Sequence, residues 1–289
     1  MGTSNSFPGP NNNTPLVPDW LDPDDPPLPE MPGGQPQPIP APPDEETQHE
    51  QETSTTPPPP NRFTTARTNL SRLASSGGND SASLTRGISH YVTTSSGGSR
   101  QATRRMGSSR KAGGKLLGFL RDAVERGVEK ALEVLQLGNL AGQPIVEVFL
   151  GMTDYICPDG GSVDEGITRD SYIEMIVDLA ENGITDLDAL NSSQVQTVFE
   201  LYTTHTIENR LYNDAGTKLI QFPENTQAVL QVKSQVHDFI RRAVADALSA
   251  TEDAWMSLTQ SNIQKFVDRI YLTAFEILRD LAVTEGSEL

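Results

Sequence analysis

The chain has 289 residues, one cysteine and a formal net charge of −17, with 35% hydrophobic and 21% charged residues. That length allows one or two domains, and the single Cys157 excludes an internal disulfide framework and suits a reducing compartment. No stretch approaches the roughly 18 uninterrupted apolar residues of a membrane-spanning helix, and no basic run leading into an apolar one marks a signal peptide, so a soluble cytoplasmic protein is expected.

Charge divides the chain into three parts. Residues 1–60 hold 18 of the 21 prolines and ten acidic residues, with no lysine or arginine. This part is predicted to be a disordered, acidic, proline-rich arm. Tracts such as Pro36-Gln37-Pro38-Ile39-Pro40 and the prolines at 57–60 favour extended polyproline II, and apolar side chains are too few to offset the entropy of ordering.

The tip of the arm reads Met1-Gly2-Thr3-Ser4-Asn5-Ser6. Loss of the initiator methionine leaves Gly2 with a small, unhindered α-amine whose pKa near 8 keeps a nucleophilic fraction at neutral pH. A terminus of this kind can enter another protein's active site and be modified there. Two other readings stand beside it: an unmodified disordered end, and N-myristoylation, because Met1-Gly2-x-x-x-Ser6 fits the acylation pattern. Further along, Leu16, Val17 and Trp20, with Leu21, form an apolar cluster suited to docking on a partner or on the chain's own domain.

Residues 61–115 carry ten lysines and arginines against the single Asp80. The spacing predicts one helix over residues 62–75, with Phe63, Ala66, Leu70 and Leu73 on one face, and a second carrying Leu84, Ile88, Tyr91 and Val92 before Gly97-Gly98. Helices this short are marginal alone and must pack on something or stay mobile. Arg100, Arg104, Arg105, Arg110, Lys111 and Lys115, punctuated by Gly107, Gly113 and Gly114, form a candidate basic binding patch. It fits phosphate neutralisation by a nucleic-acid binder, or pairing with the protein's own acidic flanks. His90-Tyr91 beside it fits a partner contact, a nucleobase contact or a packed surface pair.

Residues 116–289 hold 28 acidic and 12 basic residues and are predicted to form an all-α domain large enough for a proper core. Leu117, Leu120, Val124, Val128, Ala131, Leu132 and Leu135 make one apolar stripe, with Asp122 and Arg126 as an i,i+4 pair on the opposite face. Residues 144–156 predict a helix with Ile145, Val148, Phe149 and Met152 inward, although residues 145–149 also fit a strand. Ile173, Ile176, Val177 and Ala180 predict a further inner face closed by Gly183. Thr185 is placed to cap a short helix through Leu187 and Leu190. Ser192 or Ser193 is placed to cap the next helix, which runs with Val195, Val198, Phe199 and Tyr202 toward Leu211 and a turn at Asn213-Asp214-Ala215-Gly216. Two long helices follow, one with Val229, Val232, Val236, Ile240, Ala243, Val244 and Ala247, the other with Ile263, Phe266, Ile270, Ala274, Ile277 and Leu281.

No catalytic constellation is legible. His49, His90, His205 and His237 are scattered and none sits in an HExxH or CxxC…H spacing, so no metal site is expected. There is no phosphate-binding loop of the Gly-x-x-x-x-Gly-Lys-[Ser/Thr] type, Gly77-Gly78 and Gly97-Gly98 lack a dinucleotide-fold context, and Cys157 beside Pro158 has no evident base.

Several segments taken together resemble the QatB family, a component of the Qat antiphage defence systems of bacteria. They are Met1-Gly2-Thr3-Ser4-x-Ser6 with Gly9-Pro10, then Pro15-Leu16-Val17-Pro18-x-Trp20, and in the middle Ala66-Arg67, Leu70, Arg86-Gly87, His90-Tyr91-Val92, Gly97-Gly98 and residues 102–107. The specific motifs cover about residues 1–120, and the helical remainder matches in general character; Asp19 departs from the second proline expected before Trp20. The resemblance implies a four-protein operon with an ATPase (QatA), a QueC-like enzyme (QatC) and a TatD-like DNase (QatD). It implies no catalytic residue or cofactor in this chain, since ATP and a deazapurine would be used by the QueC-like partner. Gly2 would be the acceptor of a deazaguanine amide, Thr3, Ser4, Ser6 and Pro10 the recognised tip, and Leu16, Val17 and Trp20 a docking element. Two alternatives are a scaffold that assembles the ATPase and nuclease, and a nucleic-acid-binding subunit.

Overall fold

Among the described residues, glycines and capping side chains delimit eleven α-helices, and no strand occurs. The structure is a computed structural model and describes residues 61–158, 160–216, 225–251 and 258–285. The proline-rich arm lies outside the described residues.

Helix α1 (Thr64–Ser75) buries Ala66, Leu70 and Leu73 as the spacing predicts, with Phe63 packed at its start. It ends where Gly77 and Gly78 take φ of 62° and 91°, a region that favours glycine. The Asp80 carboxylate then accepts the Ser83 N–H at 2.9 Å and caps α2 (Ser81–His90). A π-helical turn at Tyr91–Ser95 buries Tyr91 and Val92, and α3 (Ser99–Arg104) follows.

Helix α4 (Gly107–Arg126) runs straight across residue 115, where the charge of the sequence changes sign. Gly113 and Gly114, read as punctuation, lie in its middle. They serve close packing instead: a Cβ on Gly113 would lie 3.2 Å from the Tyr202 ring and 3.5 Å from Val267. The long stripe expected from Leu117 to Leu135 is broken at Gly127, whose φ of 89° and ψ of 148° are not helical, and α5 (Val128–Val134) starts a new direction. The Asp122 carboxylate pairs at 2.7 Å with Arg121, its immediate neighbour, rather than in the i,i+4 arrangement with Arg126 that the spacing suggested.

Pro144 opens α6 (Ile145–Gly151), which settles residues 145–149 as helix, and α7 (Thr153–Ile156) continues after Met152. Ile145, Val148, Phe149 and Met152 are all buried. Helix α8 (Val163–Glu181) begins at a capping box between Ser162 and Glu165. Its inner face is Tyr172, Met175, Ile176 and Leu179, while Val177 is 66% exposed and Ala180 is also exposed. The expected stripe was therefore rotated by about one residue, roughly 100° of helix. Residues 185–190 form turns instead of the short helix expected there, although Leu187 and Leu190 are buried.

Helix α9 (Ser192–Ala215) is capped by Asn191, not by Ser192 or Ser193, again through a capping box with Gln194. It continues through Asn213 and Asp214, where a turn was expected, and stops at Gly216 with φ 77°. Residues 201–208 are buried without a break, because α4, α8 and α10 (Thr226–Ser249) surround α9. Helix α11 (Gln260–Glu285) packs on α10, α4, α3 and α2. One apolar core thus joins Ala66 and Ile88 of the basic segment to Phe199, Ile240 and Phe275 of the acidic one.

Candidate functional site

The side chains of the basic segment point in two directions. Arg100, Arg104 and Lys111 are exposed. Arg105, Arg110 and Lys115 are turned onto the protein: Arg105 Nη2 lies 2.8 Å from Asp214, Arg110 Nη1 lies 2.6 Å from Asp268, and Lys115 Nζ donates to the Tyr155 carbonyl at 2.7 Å. The six cations therefore do not form one surface. Gly2, Thr3, Ser4, Ser6, Pro10, Leu16, Val17 and Trp20 lie outside the described residues.

Asp214 is the centre of the inward network. Its carboxylate accepts from Tyr91 Oη at 2.9 Å and from Arg105, and Arg210, one turn earlier on α9, approaches within 3.4 Å. Arg210 also pairs with Asp164 at 3.0 Å, and Arg67 Nε donates to the Ala215 carbonyl at 2.7 Å. The Phe63 ring stacks on Tyr91 with centroids 6.1 Å apart, and the Arg62 guanidinium lies 4.7 Å above it. Burial, reinforced by the neighbouring Asp214 charge, pushes the Tyr91 pKa well above that of a free phenol, so the hydroxyl remains a donor. His90 is half-buried and not part of this set, whereas Tyr91 is buried and points inward.

A second polar cluster lies where α8, α9 and α10 meet. His205 Nε2 is 2.7 Å from Asp178 and its Nδ1 is 3.4 Å from Glu174; His237 Nδ1 is 2.9 Å from Glu208. The two imidazole centroids are 5.1 Å apart. Burial disfavours the charged imidazolium of His205, but the hydrogen bonds with Asp178 and Glu174 outweigh it and raise the pKa to about 9. Burial likewise works against the Asp178 and Glu174 carboxylates, and their bonds to His205 prevail and lower both pKa values. Sequence inspection missed this cluster because its histidines are on separate helices. The one local signal was His205-x-x-Glu208, an i,i+3 pair on a predicted helix.

Cys157 is buried and its Sγ–H points to the Thr168 carbonyl at 3.8 Å. Burial pushes the thiol up to about 12, with Arg169 and Lys115 opposing only in part. A thiol so placed is not a nucleophile at neutral pH.

Fold and polar network together define an all-α domain whose basic segment is bound into its own acidic helices. By sequence comparison the chain belongs to the QatB family, since the family model described as Qat anti-phage system associated protein QatB matches residues 97–278. It is thus a component of an anti-phage defence system, with partners in that system. No curated protein and no solved structure matches the chain. Among the described residues no helix is long and apolar enough to cross a membrane.

Proposed function

We propose that the chain is a non-catalytic protein substrate within its Qat system, with the Gly2 amine as acceptor of a deazaguanine carboxyl group delivered by a QueC-like enzyme. Membership of the family over residues 97–278 is the observation that carries this reading. In the reaction the partner activates the carboxylate of the deazapurine with ATP. The unprotonated Gly2 nitrogen attacks the activated carbonyl carbon, a C–N bond forms, and the activated oxygen departs with the nucleotide while the amine releases a proton. A glycine at the acceptor position leaves the amine unhindered, and Thr3, Ser4 and Ser6 supply hydrogen bonds without bulk.

The test is the intact mass of the untagged protein, made with and without the QueC-like partner, with the N-terminal peptide sequenced. An adduct on Gly2 that depends on the partner and is lost in Gly2→Ala is expected. A bare Gly2 in both samples would sink the reading.

A scaffold role is favoured by a different observation. Val134, Val163, Val177 and Leu230 are each at least 62% exposed, apolar side chains that a bound partner could cover. Nucleic-acid binding receives less support, because Arg105, Arg110 and Lys115 already have partners within the protein.

A further inference from the structure

We infer that His205, Glu208 and His237 form a binding site for a divalent zinc-class cation. One ligand atom from each of the three side chains lies within 4.8 Å of the others. His205 and Glu208 are three residues apart on α9 and so share a face, and α10 brings His237 against them. Donors around a tetrahedral zinc sit about 3.4 Å apart for bonds of about 2.1 Å. Glu208 is buried and His237 half-buried, and closing the set to that spacing requires a small rotation of these two side chains.

Two features go beyond ordinary ion pairing. First, the two imidazole centroids lie 5.1 Å apart with their planes tilted by 48°, close enough for one cation to take a lone pair from each ring. Second, Asp178 lies 2.7 Å from His205 Nε2, the position of a carboxylate that orients a metal-bound imidazole and fixes its tautomer. The donor set of two imidazoles and carboxylate oxygen is that of zinc and its neighbours rather than of calcium or magnesium, which prefer oxygen alone. The charges facing the site are Glu174 and Asp178 on α8, Glu208 on α9, and Lys233 and Arg241 on α10. Arg241 is also held by Glu200 at 2.6 Å, which leaves the carboxylates in excess around the two rings.

With Nε2–H held by Asp178, the cation takes His205 Nδ1 and displaces the proton there, which otherwise faces Glu174, so binding weakens as pH falls. The test is calorimetric titration of the untagged, chelator-stripped full chain with Zn²⁺ at pH 7.5 and at pH 6, with Co²⁺ absorption as a second reading. Expected are one saturable equivalent, tighter at pH 7.5, and tetrahedral Co²⁺ bands. His237→Gln and Glu208→Gln each abolish the bands and weaken Zn²⁺ at least tenfold, whereas Asp178→Asn weakens it by about 10–100-fold. His90→Gln leaves binding unchanged. Circular dichroism establishes that each variant is folded, and Glu208→Gln, nearly isosteric, decides if His237→Gln is not. Absence of a saturable equivalent, parental affinity in the folded Glu208→Gln protein, or loss of binding in His90→Gln would overturn the assignment.

Discussion

Arg105 reaches across the fold to Asp214, 2.8 Å away, and ties the basic segment to the end of α9. Asp214 is only 7% exposed and also receives Tyr91 and Arg210. Removing the acceptor from such a group leaves donors buried without their charge partner, typically a loss of about 3–5 kcal/mol. Asp214→Ala is accordingly expected to lower unfolding stability by about 3 kcal/mol, because Arg210 keeps Asp164. Urea denaturation measures it, and a change below about 1 kcal/mol would show the network to be energetically idle.

Gly113 offers a steric test. Added carbon at this position meets the rings of Tyr202 and Phe199 at 3.2 and 3.4 Å, and both rings are held in the core. Gly113→Val is expected to destabilise by about 1–3 kcal/mol through overpacking, more than any gain in helix propensity returns. A variant as stable as the parent in thermal melts would mean that α4 and α9 can separate freely.

Stability should depend on pH through His205. Its folded pKa of about 9 lies above the ordinary value of 6.5, so its contribution is full below about 6.5 and declines as pH rises through about 9. The lowered pKa values of Asp178 and Glu174 act the other way: their contribution is present above the ordinary carboxylate range and is lost as pH falls below it. Chelator-treated protein should therefore lose stability between pH 6.5 and 9 more steeply than His205→Gln. Parallel curves for the two proteins would remove His205 as the cause.

Cys157 should resist alkylation. A buried thiol with its pKa at about 12 presents almost no thiolate at pH 7.5. Iodoacetamide is expected to label it only when the protein is unfolded, as read by mass spectrometry. Stoichiometric labelling of the native protein within minutes would contradict the buried placement.

Much of the helix content was legible because apolar residues recur at helical spacing; α1, α10 and α11 bury nearly the faces read from their sequences. The errors have physical causes. The α8 stripe was read from Ile173, Ile176, Val177 and Ala180, whereas the core selects Tyr172, whose hydroxyl finds the Phe149 carbonyl at 2.9 Å; hydropathy ranks tyrosine low. Helix α9 hides Thr203, Thr204 and Thr206 completely, and Thr206 meets Tyr271 Oη at 2.7 Å, a pairing no periodicity displays. Gly127 and Gly113 look alike in sequence, yet one breaks a helix and the other lets two helices approach. The motifs that carry the family resemblance lie mainly in residues 1–120, while the family model matches residues 97–278, and the two overlap only around Gly97-Gly98 and residues 102–107. The meeting of His205 with His237 depends on how α9 and α10 cross, and spacing along one chain does not encode that.

The hydroxyl of Ser99 donates to the Phe275 carbonyl at 3.2 Å, and that of Ser89 to the Arg279 carbonyl at 2.9 Å. Helices α2 and α3 are therefore sealed by α11, which lies far from them in sequence. During synthesis they emerge from the ribosome long before α11 exists, and such sequence-distant closure delays folding. A message cut or a ribosome halted before α11 is made leaves a polypeptide with its early apolar faces bare. Such a product exposes apolar surface that the whole protein buries.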